Sequence, residues 1–154
     1  MSSQPIPPVS FGHSVALAQQ ALTGALTAVL VAEGSSAEEW FALNTIAVRG
    51  AQTPGQTIRE ELRIAPRATA VGVDTTIAEL AKAGLVSIAG EGGSEILTLT
   101  AQGAARHAEL AAAARRLTAA MVEGLDPEAL AVTSALLATV TERGDAAATA
   151  AAAV

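Results

Sequence analysis

Gly84-Leu85-Val86-Ser87-Ile88-Ala89-Gly90-Glu91-Gly92-Gly93-Ser94-Glu95-Ile96-Leu97-Thr98-Leu99-Thr100-Ala101-Gln102-Gly103 holds two short apolar runs around a glycine-rich turn. The spacing predicts a β-hairpin, Leu85-Val86-Ser87-Ile88 against Ile96-Leu97-Thr98-Leu99. Thr100 then caps a long helix reaching about residue 123. Upstream of the hairpin, Thr69 is the expected N-cap of a helix over 69–83. Val73, Ile77 and Leu80 fall on its buried side, Val71, Thr75, Ala78 and Lys82 on the other, and Gly84 closes it. A short helix over 57–65 precedes it, with Ile58 and Leu62 inward, and Pro66 forces a turn between the two. Further back, Ser36 and Glu39 make a capping box for a helix whose Trp40, Leu43 and Ala47 share a face and which ends at Gly50.

Both flanks read as helix. Residues 1–32 contain no Asp, Glu, Lys or Arg. Within them, 11–32 is long enough to suggest a membrane span, but His13, Gln19, Gln20, Thr23 and Thr27 interrupt it and no basic segment precedes it as a signal peptide requires. We therefore expect no membrane. Val15, Leu22, Leu26 and Val29 form its apolar stripe, and an uncharged helix of this kind needs partner elements to cover it, most simply a second subunit. At the other end, Gly124-Leu125-Asp126-Pro127 ends one helix and starts another. The last helix presents Leu130, Leu137 and Val140 and is expected to end near Gly144. The expected organisation is a flexible lead (1–10), helical dimerisation segments (11–33 and 101–144), a hairpin-bearing helical module (34–100) and a frayed or disordered tail (145–154). The fold class is mainly α with a small two-stranded β-hairpin.

Composition narrows the chemistry. The chain of 154 residues has 38 alanines, which favour helix, but only two Phe, one Trp and no Tyr. Without cysteine it has no disulfide framework and no thiolate ligand or nucleophile, which fits a cytoplasmic setting. A net charge of −6 gives no general attraction to nucleic acid, so DNA affinity would need a local basic patch. His13 and His107 are the only imidazoles, without metal-ligand spacing, so no metal and no cofactor are expected. His107 reads as a surface residue. The adjacent pairs Glu38-Glu39 and Glu60-Glu61 point about 100° apart and cannot share a substrate. No catalytic set is nominated.

The order helix, helix, short helix, helix, hairpin, two long helices resembles the MarR family of bacterial winged helix-turn-helix regulators. Gly34-Ser35-Ser36-Ala37-Glu38-Glu39-Trp40 is similar to the family's G-L-T-x-x-Q-W at the start of the second helix. Leu80 followed by Gly84-Leu85-Val86 resembles the end of the recognition helix and the first wing strand. Leu99-Thr100-Ala101-Gln102-Gly103 matches L-T-x-x-G after the wing, and Leu125-Asp126-Pro127-Glu128 resembles the L-D-P-E link. The likeness spans roughly 11–144. It implies a homodimer whose recognition helices enter successive major grooves of double-stranded operator DNA, with wings at the minor grooves. It also implies a small, often aromatic, effector in a cleft whose positions here include His13, Trp40 and Asn44.

The departures fall where DNA would be read. The recognition helix begins Ala70-Val71-Gly72-Val73-Asp74-Thr75, and the wing carries Glu91 and Glu95 but no arginine. From 66 to 95 there are two cations, Arg67 and Lys82, against four acids. Candidate DNA contacts are therefore Arg59, Arg63, Arg67, Thr69, Thr75 and Lys82. Each has a plain structural alternative. The three arginines could pair with Glu60, Glu61 or other nearby acids, Thr69 could simply cap its helix, and Thr75 and Lys82 could lie on a solvated face. Trp40 on its apolar stripe reads first as core, with a ligand wall as the alternative, and Asn44 could orient a ligand or bond a loop backbone. The expectation is an operator-binding, effector-released regulator. Its alternative is a MarR-like protein without DNA binding that takes a small molecule or a protein in the same cleft. An enzyme built in that cleft is a third class, with no catalytic set to support it.

Overall fold

The computed structural model describes residues 8–50, 53–64, 70–90 and 94–152. Among these, six helices and two strands follow in the order α1 (Pro8–Ala32), α2 (Ala37–Arg49), α3 (Gly55–Ile64), α4 (Ala70–Lys82), β1 (Val86–Ala89), β2 (Ile96–Leu99), α5 (Ala101–Val122) and α6 (Pro127–Ala152). The chain divides into two compact units, Met1–Thr118 and Ala119–Val154.

The first unit is organised by one apolar cluster. Leu30 of α1, Trp40, Leu43 and Ile46 of α2, Ile58 and Leu62 of α3, Val73, Ile77 and Leu80 of α4, Val86, Leu97 and Leu110 form it. The inward stripes of α3 and α4 are those expected from their periodicity, because a helix of 3.6 residues per turn brings i, i+3, i+4 and i+7 to one side. Thr75, Ala78 and Lys82 face solvent as the same period requires. The hairpin is antiparallel, with Val86 opposite Leu99 and Ala89 opposite Ile96. Val86 and Leu97 are its buried members, one residue later in the first strand than the sequence pattern placed the start.

The hairpin meets α5 through a tight backbone junction. The Thr100 amide donates to the Leu85 carbonyl at 3.1 Å, the Thr100 hydroxyl donates to the Gly84 carbonyl at 2.6 Å, and the Gly103 amide donates back to the Thr100 hydroxyl at 3.0 Å. A Cβ at position 103 would collide with the Leu85 carbonyl oxygen and sit 2.8 Å from its carbon, so the helix can approach this closely only through glycine. A second close approach joins the loop before α3 to the wing. The Gly55 amide donates to the Glu95 carbonyl at 2.7 Å, and Pro54 forms an isolated antiparallel bridge with Ile96. This extension of the two-stranded hairpin was not foreseen from sequence.

Three expectations change in detail. Ser36 caps α2, its hydroxyl accepting from the Glu39 amide at 3.0 Å. The Glu39 carboxylate does not complete a capping box, however, and pairs instead with Arg106 at 3.2 Å, a charged partner that makes the stronger bond. Helix α1 begins at Pro8, inside the segment read as a flexible lead. Helix α6 runs through Ala152 and does not stop near Gly144, because the alanines around one interior glycine recover its helix cost of roughly 1 kcal/mol.

Apolar surface remains on two helices. In the first unit, Leu30 at the end of α1 is fully buried while Leu17, Leu22 and Val31 are exposed. By length and composition, Ser10–Ala32 is also apolar enough to cross a membrane. In the second unit, α6 exposes Val132, Leu136, Leu137 and Val140.

The junction at Gly103 provides a direct check. Gly103→Ala should lower stability by about 3 kcal/mol, since the clash is with backbone and not with a yielding side chain. Urea unfolding would show it, and an unchanged midpoint would refute the close approach.

Candidate functional site

Two regions of the first unit carry the candidate residues. The one that the sequence reading assigns to DNA is formed by α3, α4 and the wing. Arg59, on α3, is not directed outward. Its Nε donates to the Asp74 carboxylate on α4 at 2.9 Å, and its Nη2 lies 2.7 Å from the Glu95 carboxylate beside β2. The Arg59 side chain is only 17% exposed, against 56% for Asp74. The neighbouring acids take other partners. Glu60 accepts from Gln56, and Glu61 is held in a two-pronged pair by Arg49 of α2. Sequence neighbours diverge around a helix, so Arg59 reaches across elements and not to the acids beside it.

Arg63 is half-buried, and its Nε has no hydrogen-bond partner among the described residues. Lys82 is exposed in the last turn of α4 and has no ion pair among the described residues. Thr75 is exposed on the same helix. Arg67 and Thr69 lie outside the described residues, as do Glu91, Gly92 and Gly93 of the wing turn.

The second region lies between α2, α5 and the end of β2. Trp40 and His107 stack with ring centroids 5.6 Å apart and planes 9° from parallel. His107 Nε2 is 3.2 Å from Asn44 Oδ1. An amide oxygen only accepts, so Nε2 is the donor in this contact. Burial pushes the His107 pKa below the ordinary histidine value, and the nearby Arg115 charge pushes it the same way. His107 also lines a hollow of ≈ 290 Å³ with Ile46, Ala47, Gly50, Thr98, Leu99 and Ala104. Apolar walls with one or two polar groups are the usual make-up of a small-molecule pocket.

The structure thus brings Trp40 and Asn44 together, with His107 as the link between them. His13 is exposed on α1 and is not part of the trio. The reading of His107 as a surface residue is corrected, and a signal for its true position existed. Gly103, His107 and Leu110 recur at i, i+4 and i+7 along α5, and Gly103 and Leu110 are buried. The alanines of this helix hide that stripe. Among the described residues no group of three or more His, Cys, Asp or Glu is placed to hold a metal ion.

The trio makes a pH-dependent prediction. A depressed folded-state pKa means that the unfolded chain binds the proton first, so stability contributed by neutral His107 should fall as pH drops below about 6.5. An NMR titration of the imidazole should give a midpoint under the free value, and Arg115→Ala should move it upward. A midpoint at or above the free value would contradict the arrangement.

No protein-family model matches this sequence, and no curated protein matches it. Solved structures do match in fold. NadR in complex with 4-hydroxyphenylacetate shares 22% identity at a TM-score of 0.73, over 89% of this chain and 98% of that one. A MarR family protein of Mycobacterium tuberculosis in complex with p-aminosalicylic acid shares 22% identity at 0.70, over 88% and 99%. BpsR of Bordetella bronchiseptica, whose DNA binding is regulated by 6-hydroxynicotinic acid, shares 19% identity at 0.66, over 90% and 99%. These matches extend over 88–90% of this chain, and the chain therefore has the fold of the MarR-family winged helix-turn-helix regulators.

Proposed function

We propose that this chain is a homodimeric transcriptional regulator that binds operator DNA through α4 and the wing and responds to a small aromatic molecule. The observation that carries the reading is the Trp40–His107 stack, bonded to Asn44, whose His107 also lines a pocket-sized hollow in the same unit that turns Thr75 and Lys82 outward. The three proteins named above, which share the fold, bind or respond to ring compounds of this size. Exposed apolar residues on α1 and on α6 suit a subunit interface, and covering them in a dimer accounts for α1 without a membrane. A cytoplasmic location accompanies this reading. Arg63, Arg67, Thr69, Thr75 and Lys82 are the residues proposed to meet DNA, and Trp40, Asn44 and His107 those proposed to hold the effector, with His13 joining them only if the partner subunit brings it near.

A second reading keeps the effector site and drops DNA binding. The Arg59 pairing favours it, because an arginine held by two carboxylates is not free to neutralise a phosphate.

Two experiments separate these readings. Anisotropy with duplexes from the DNA upstream of the gene should show sequence-dependent binding that weakens with salt, and Lys82→Ala should flatten the salt slope by about one. Absence of binding to any upstream duplex at low salt would decide for the second reading. A panel of aromatic compounds should contain at least one that raises the melting temperature by on the order of 5–10 °C at 100-fold its Kd. Asn44→Ala should remove that rise while leaving the unliganded protein folded, and a flat response across the panel would refute the effector site.

A further inference from the structure

Arg59 stands at the junction of the three elements that a winged helix-turn-helix uses around DNA, and it faces inward to two carboxylates. Asp74 belongs to the first half of α4 and Glu95 precedes β2, so one guanidinium bridges helix α3, the recognition helix and the wing. The carboxylates meet different guanidinium nitrogens at 2.9 and 2.7 Å, as two oxygens of a phosphate diester would. The backbone is shaped around this arrangement. Glycine at 55 leaves room for the guanidinium, since a Cβ there would lie 2.9 Å from Arg59 Nη1 and 3.2 Å from the Glu95 carbonyl oxygen. The three groups together carry one net negative charge on the face turned to DNA.

We propose that Asp74 and Glu95 are an internal substitute for DNA phosphate that masks Arg59, and that DNA engages this face by taking the guanidinium from them. The proposal rests on the DNA-binding reading above. Asp74 is more than half exposed, so its hold on Arg59 is the weaker one and the first to be exchanged. Once released, the arginine adds a cation while the two acids turn to solvent. The same contact makes the relative position of α3, α4 and the wing sensitive to whether DNA is present.

The test uses the full chain and a mixed-sequence duplex at low salt, because phosphate contacts are independent of base sequence. Asp74→Asn with Glu95→Gln keeps the side-chain shapes and removes both charges. It should tighten binding about tenfold or more and steepen the salt slope by about one phosphate contact. Adding Arg59→Ala to that pair should abolish the gain. Asp74→Asn alone, at the exposed partner, should give part of the gain and serves if the double variant does not fold.

A gain that survives Arg59→Ala would overturn the proposal, because the acids would then act by repulsion alone. Unchanged affinity in a folded Asp74→Asn or double variant would overturn it too, while leaving operator binding by the wild type intact. If neither wild type nor variants bind any duplex, the masking and the DNA-binding reading fall together. A folded variant that binds where the wild type does not would support the mask only when adding Arg59→Ala abolishes that binding.

Discussion

The first turn of α5 passes so near the Leu85 carbonyl that position 103 admits no side chain. Around that contact the Thr100 hydroxyl both donates to Gly84 and accepts from Gly103, while its amide holds Leu85. One residue thereby closes the end of α4, starts α5 and fixes the point from which the wing departs. The L-T-x-x-G string is the sequence trace of this geometry. The threonine hydroxyl donates and accepts through a single oxygen, and the glycine removes the one atom in the way. The hairpin register and the reach of α5 toward Trp40 and Asn44 both follow from this junction.

Charge is used inside the module as much as on its surface. Arg49 ties α2 to α3 through Glu61, Arg59 ties α3 to α4 and the wing, and Arg106 joins the Glu33 carbonyl at the end of α1 to Glu39 at the start of α2. Each arginine spans elements distant in sequence. Partly exposed pairs of this kind contribute little individually to stability, and their value lies in orientation. The cost is functional. An arginine that orients the scaffold meets a phosphate only by giving up its carboxylate partners, and this deepens the shortage of positive charge apparent from residue counts.

Element order and inward faces were legible because they depend on local rules. Ile58 and Leu62, or Val73, Ile77 and Leu80, repeat at helical spacing, and the glycine turn between two apolar runs permits little besides a hairpin. The charge network was not legible. Arg59 has Glu60 and Glu61 beside it, and nothing local says that it reaches Asp74 and Glu95, 15 and 36 positions away. His107 was misread for a different reason. Alanines carry too small an apolar signal for the buried stripe of α5 to stand out, although Gly103 and Leu110 mark it. The length of α6 was underestimated because a lone glycine was given more weight than the alanines surrounding it.

The bridge between Pro54 and Ile96, with Gly55 bonded to Glu95, has a consequence for how copies of this chain can meet. A two-stranded sheet has two open edges, and an open edge recruits strands from other molecules. Here the outer edge of β2 is closed at its first residue by the chain's own loop, and the residue that closes it is a proline, which has no amide hydrogen to pass on to a further strand. A foreign strand cannot start pairing there without expelling the loop and with it the glycine packed against Arg59. Edge-to-edge growth through β2 is thus blocked at its outset.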